Sequence, residues 1–318
     1  MPIPTPQSGE SEQQFFERCM SSDVMEREFP DENQRQAVCH AQWRNKGSNY
    51  HIETKAYKPR QWSTIDRKRA TFRRQFRPKM SQALDKSVAP FFEKLQRVGD
   101  ISTAPSMNIN IDNSPIQEVY KELYMEVGSY FGNFDRRNAK KKKGIVYLEK
   151  QGEDEIYSNV IREEMQKYAE EVAGQNIAII ADTSRTFLEK TIRSVVKEVL
   201  EEGLGAGEAQ TMLRDRLTNQ WHRAMRYRTE RIVRTETTTA SNVGSLKGIR
   251  STGIPHMKIW SAAFDSNTRE WHANANGQRV DMDSAFMVGG EQMDHPGDPS
   301  ASGRNVINCR CAVIYEPK

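Results

Sequence analysis

Trp260 to Tyr315 reads WSAAFDSNTREWHANANGQRVDMDSAFMVGGEQMDHPGDPSASGRNVINCRCAVIY, and no other span of the 318-residue chain gathers as much distinctive chemistry. Met257 to Phe264, Val280 to Val288 and Val306 to Tyr315 have the length of strands and are bounded by Gly, Asn, Asp and Pro. Asn276-Gly277 is a hairpin-type turn signal between two of them. In Cys309-Arg310-Cys311 the thiols are two residues apart, so on an extended chain both face one side and Arg310 the other. These features predict a small β-rich module over 251–318.

The order W…D-S-N-T-R-E-W-H…N-G-Q…F…H-P-G-D…N-C-R-C follows Arg234-Thr235-Glu236 in a helical stretch. It resembles the bacteriophage Mu F-type minor head protein family, also called phage head morphogenesis proteins, over about residues 225–315. The motif residues are Arg234, Glu236, Trp260, Asp265, Arg269, His272, Gly277, Pro296, Asp298, Asn308, Cys309 and Cys311. At Asn267 the chain departs from the family, which often carries Arg there. The resemblance implies a structural, non-enzymatic protein present in few copies inside the capsid and associated with the portal or the packaged DNA. It also implies that helix 221–249, which carries Arg234 and Glu236, packs on the module. The same module occurs joined to toxin domains.

Three chemistries compete for the polar residues of the module. In the structural reading, Asp265, Arg269 and His272 hydrogen-bond turns while the thiols pack inward. In a second, Cys309, Cys311, His272 and His295 form a tetrahedral zinc set, the only cofactor the residues suggest. In a third, Cys309 is a nucleophile, His272 its base and Asp265 the orienting group, without the Gly-rich oxyanion loop such a site needs.

Composition bounds the rest. No apolar run approaches the roughly 18 residues of a membrane span, and no signal segment opens the chain, so a soluble protein made in the host cytoplasm is expected. Four cysteines are too few for a disulfide framework, which makes reduced thiols the default. Net charge is only +4, but Lys55 to Arg97 holds thirteen Lys/Arg against Asp66, Asp85 and Glu93, a local net of +10. Glu153 to Glu171 reverses the sign, with seven acids against Arg162 and Lys167. Charge in blocks points to partners.

Residues 1–13 are Pro-, Ser- and Gln-rich and read as a disordered tail. Residues 14–50 read as a helical hairpin broken at Phe29-Pro30-Asp31, too small to be stable without partners or cross-links. Cys19 and Cys39 would meet across it as small core residues, a metal pair or a disulfide. Its phrase FPDENQRQAVCHAQW resembles segments of other phage head proteins, which implies a docking element. Residues 51–150 form a basic helical region with a linker at 99–113. In it Arg67, Lys68, Arg69, Arg73, Arg74 and Arg77 surround Phe72 and Phe76 on one helix, which Pro78 interrupts. Lys140, Lys141, Lys142 and Lys143 add a cationic loop after Arg136-Arg137. Both segments are candidates for non-specific contact with phosphates.

Residues 151–250 read as helices. Ile161, Met165, Tyr168 and Val172 make a coiled-coil-type seam, a second helix follows Gly174 and closes at Gly203, and two more run over Glu208 to Leu217 and Trp221 to Ile249. The fold class expected is α+β: an elongated, mostly helical N-terminal two-thirds followed by the β-rich module. The function expected is that of a virion protein, a minor head protein in capsid morphogenesis. Its partners would be the portal, the major capsid or scaffold proteins and non-specific double-stranded DNA. Its place would be inside the capsid near the portal, with no membrane partner. The alternatives are a phage-delivered enzyme or toxin built on the module, and a DNA-binding packaging factor that never enters the virion.

Overall fold

The computed structural model describes residues 9–28, 60–142, 153–263 and 267–318, with single positions outside these spans, among them Arg35, Cys39, Trp43 and Asp265. The chain forms two units, one of residues 67–134 and 148–248, the other of residues 1–66, 135–147 and 249–318. Long helices precede a few short antiparallel strands, the α+β arrangement expected.

The first unit is helical. It takes most of α3 (Arg60–Leu95), a 3-10 turn (Ile101–Ser106), α4 (Ser114–Leu123), a π-helical turn (Tyr124–Gly128), the start of α5 (Ser129–Lys142), α6 (Glu153–Glu201) and α7 (Ala206–Arg250). Three breaks read from the sequence are absent. α3 runs through Pro78, which is exposed, while Phe72, Phe76, Met80, Leu84, Val88, Phe91 and Leu95 bury one continuous stripe on both sides of it. A proline removes one backbone donor and strains one turn, and a stripe buried on both sides outweighs that cost of about 3 kcal/mol. Gly174 likewise lies inside α6, between buried Ala169 and Ile177, and costs only about 1 kcal/mol relative to alanine. The two helices expected over 208–217 and 221–249 are one, because Leu213, Leu217, Trp221 and Met225 continue a single buried face.

Two helices of this unit meet backbone to backbone. Gly128 and Gly132 face Gly244 and Gly248, with glycines four residues apart on each side. A Cβ added at Gly244 would lie 2.1 Å from the Gly128 carbonyl oxygen, and one at Gly248 would lie 2.1 Å from that of Gly132. Only glycine permits so close an approach. Around this crossing α7 buries an unusually polar run, Thr235 to Thr239, Ser241, Asn242 and Ser245. Arg69 of α3, 1% exposed, donates to Ser241 Oγ at 2.7 Å and to Asn242 Oδ1 at 2.9 Å.

The second unit contains every described strand. β1 (His256–Ser261) is central, pairing antiparallel with β2 (Arg279–Asp281) and β5 (Ala312–Pro317), with Ile259 opposite Arg279 on one side and Ile314 on the other. β3 (Phe286–Val288) and β4 (Glu291–Met293) form a separate hairpin. Its turn, Gly289-Gly290, has φ of 58° and 83°, the left-handed pair that a tight hairpin of right-twisted strands favours. The strand expected over Val280 to Val288 is therefore two strands, split by a turn in which Ser284 N–H donates to Asp281 O. Asn276-Gly277 is not a hairpin turn. It follows the short helix α8 (Glu270–Asn274) and delivers the chain to β2, with Gly277 at φ 79°. Val306 belongs to another short helix, α9 (Gly303–Val306), so the last strand begins six residues later than expected. Phe264 lies outside the described residues.

The N-terminal helices belong to this unit. α1 (Glu12–Met20) opens with a capping box between Ser11 and Gln14, so order begins inside the stretch expected to be a tail. α2 (Asp23–Glu28) follows. Phe15, Cys19, Met25 and Cys39 are buried together, with Phe16, Met20 and Trp43 against them. Cys19 and Cys39 form a disulfide with their Cα atoms 5.9 Å apart, which corrects the expectation of reduced thiols for this pair, while Cys309 and Cys311 are not disulfide-bonded. A cluster with so few core residues gains most from a covalent tie.

Candidate metal centre

Three polar side chains from two parts of the β module meet in its interior. His272 stands on α8, 2% exposed, while Cys309 and Cys311 lie between α9 and β5 and are each 2% exposed. Asn308, the one described non-glycine residue with positive φ (61°), turns the chain between α9 and the cysteines, and Cys309 N–H donates to Val306 O. Asparagine tolerates this conformation better than most residues. Both thiols then face the same ring nitrogen, with Cys309 Sγ 3.6 Å and Cys311 Sγ 3.4 Å from His272 Nδ1. The three potential ligand atoms all lie within 4.8 Å of one another. Arg310 points away and pairs with Asp265.

The Cys309 thiol is held well below the ordinary cysteine value. A hydrogen bond with Cys311 is the largest cause, burial opposes it, and His272 adds to the lowering. His272 Nε2 is buried without a hydrogen-bond partner. Trp260 stands edge-to-face to the ring at 5.6 Å and Trp271 at 6.3 Å. The two rings flank the imidazole, whose Nδ1 faces the two sulfurs.

The other motif residues build the frame. Asp265 accepts from Asn267 N–H and Thr268 Oγ1 as well as from Arg310, so it holds a turn and does not orient His272. Arg269 donates to Ile307 O at 2.6 Å. Asp298 caps the His295-Pro296-Gly297 turn, accepting from Asp294 N–H and from Ser300. His295 is outside the Cys/His cluster. Its Nδ1 faces Pro296 O, and burial holds its pKa below the ordinary value. Residues not singled out in the sequence contribute as much. Lys258, fully buried on β1, donates to Asp294 O at 2.9 Å and lies over the Phe286 ring. Asn305 bridges Trp271 Nε1 and Val288 O. Gln278 pairs with both backbone groups of Met287. No local pattern marks Lys258 or Asn305, because their partners are 17 to 36 residues away.

Residues 190–314 match the family model described as Phage Mu protein F like protein. The C-terminal part of this chain is Mu F-like. The Mu F-like region begins within α6, earlier than the motifs alone suggest, and ends in β5. It takes in Glu236, Gly244 and Gly248 of α7 and the Cys/His cluster. Over 146 residues, 45% of this chain, the sequence is 27% identical to "NAD(+)--arginine ADP-ribosyltransferase EFV" of Enterococcus faecalis (strain ATCC 700802 / V583), covering 29% of that protein. Over 119 residues, 36% of this chain, it is 28% identical to "Minor head protein GP7" of Bacillus phage SPP1, covering 38% of that protein. The chain thus spans well under half the length of these relatives. No solved structure matches.

The cationic candidates divide once folded. Arg67 and Arg74 are exposed on α3. Lys68 lies over the Phe72 and Tyr130 rings, and Arg77 pairs with Glu230. Arg73 is half-buried. Arg69 is buried against Ser241 and Asn242 and cannot reach a phosphate, which corrects its assignment. The expected cationic loop is in fact the end of α5 as far as Lys142, and Arg136 within it is fully buried. Lys143 lies outside the described residues. Among the described residues no helix is long and apolar enough to cross a membrane.

Proposed function

We propose that the chain is a minor head protein of a bacteriophage, a structural component of the virion that acts in head morphogenesis. The observation that carries this reading is the Mu F-like match over residues 190–314, and the likeness to a phage minor head protein supports it. In this reading the protein sits inside the capsid and docks on the portal or the inner capsid wall. The disulfide-tied N-terminal hairpin serves as a docking element. Arg67, Arg74 and the lysines from Lys140 to Lys143 contact packaged DNA or the scaffold. The role is positional. Asp265 is committed to Arg310 and a turn, which leaves the Cys309–His272 pair without the orienting carboxylate a nucleophilic dyad needs.

Quantitative mass spectrometry of purified virions and empty proheads, with the major capsid protein as internal standard, tests the proposal. A few copies per particle in both are expected. Absence from both would sink it. The second reading, a delivered effector, is favoured by the likeness to the named ADP-ribosyltransferase. It predicts transfer of label from NAD+ to a host lysate by the full chain, and no transfer is expected.

A further inference from the structure

We propose that His272, Cys309 and Cys311 bind one zinc ion that ties helix α8 to the start of strand β5. Each of the two sulfurs approaches the same nitrogen, at 3.4 and 3.6 Å. All three potential ligand atoms lie within 4.8 Å of one another, close enough for a single cation to be shared among them. With zinc–sulfur bonds of about 2.3 Å and a zinc–nitrogen bond of about 2.0 Å, a tetrahedral site has a nitrogen–sulfur edge of about 3.5 Å. The two observed distances bracket that edge.

The donor set is chemically apt. Two thiolates and one imidazole suit zinc better than magnesium or calcium, which prefer oxygen. Binding breaks both S–H bonds, releases two protons to solvent and forms two sulfur–zinc bonds without any change of oxidation state. Among the described residues no fourth His, Cys, Asp or Glu joins the cluster, and His295 is turned to Pro296. A water or a residue from outside the cluster therefore completes the tetrahedron.

The position explains what the ion would do. Among the described residues the module has five short strands in two small sheets, and one of its two short helices carries His272 while the other lies just before Cys309. Small, irregular domains of this kind gain stability from a metal staple. The left-handed backbone at Asn308, which aims the cysteines inward, would be held by the same bonds.

The test uses the full chain purified without chelator from zinc-supplemented cells. Elemental analysis and native mass spectrometry should give about one zinc per chain. Replacing zinc with cobalt should give thiolate-to-cobalt charge-transfer absorption together with the visible bands of tetrahedral cobalt. Cys309→Ser should weaken the charge-transfer band, and Cys19→Ser with Cys39→Ser should leave metal content and band unchanged. Should Cys309→Ser fail to fold, the wild-type chain stripped of metal decides, since zinc added back must raise its melting temperature. Zinc content at background in a folded wild-type chain would overturn the proposal. So would metal that follows Cys19 and Cys39, or a Cys309–Cys311 disulfide in the mass map.

Discussion

Glu236 shows what a single residue can report about this fold. Its carboxylate is buried on α7, accepts from the Tyr124 hydroxyl at 2.6 Å and faces Asn176 Nδ2 at 3.5 Å. Burial raises its pKa, and the hydrogen bonds from tyrosine and asparagine only partly offset the rise. The folded chain therefore holds this proton more tightly than the unfolded chain. The contribution to stability is fully present below the ordinary glutamate pKa and is lost as pH rises through the higher folded value. Glu236→Gln should flatten that part of the profile, measured as urea midpoint against pH from the acid side to neutrality. An unchanged slope would mean that the carboxylate ionises as easily inside as outside. Arg234, two residues before Glu236, is instead half-buried and pairs with Glu230 one turn away.

At the scale of elements, the crossing of glycines and the tied N-terminal segment are the features most open to test. A methyl group at Gly244 would sit 2.1 Å from a backbone oxygen, which no side-chain rearrangement can relieve. Gly244→Ala should destabilise the helical unit by about 3 kcal/mol or more, at the upper end of overpacking penalties. Gly174→Ala, with nothing within 4 Å of the added carbon, should be neutral to mildly stabilising. Thermal melts of the two variants side by side check both. In the N-terminal segment, the Cys19–Cys39 bond spans a sequence separation of 20 residues. Replacing both cysteines by serine should cost roughly 3 kcal/mol of its stability, from the entropy of the opened loop. Limited proteolysis between the two positions reports that loss. If cleavage is equally slow with and without the bond, the segment does not depend on it.

Across the whole molecule, the distribution of charge is what the fold changes most. A basic block of net +10 in the sequence becomes, in part, internal glue and ion pairs. Arg69 bridges to α7, Arg77 meets Glu230 and Lys79 meets Glu122. Non-specific duplex DNA should therefore bind with fewer phosphates neutralised than the sequence count suggests. Arg67→Ala with Arg74→Ala should weaken binding for all sequences alike and reduce the salt slope by about 2, while Arg69→Ala should lower stability instead. Fluorescence anisotropy across a salt series separates these outcomes, and an unchanged slope in the double variant would remove α3 from the DNA contact.

Local chemistry alone determined a good deal of this protein. The α+β order, the turn-rich character of the last seventy or so residues and the same-face placement of the two thiols follow from side-chain type and the period-2 strand, which act within a few residues. The buried positions of the long helices follow in the same way from apolar spacing. Tertiary structure decided the rest. Proline and glycine breaks disappeared because long buried stripes outweigh the cost of one turn. Glu236, Arg69 and Lys258 went inside because partners 36 to 172 residues away satisfy them. His272 was a motif residue in the sequence, and His295 was grouped with it. Only the fold of α8 against the Asn308 turn brings His272 to both cysteines and leaves His295 elsewhere, since which polar groups meet depends on chain closure that no local pattern encodes.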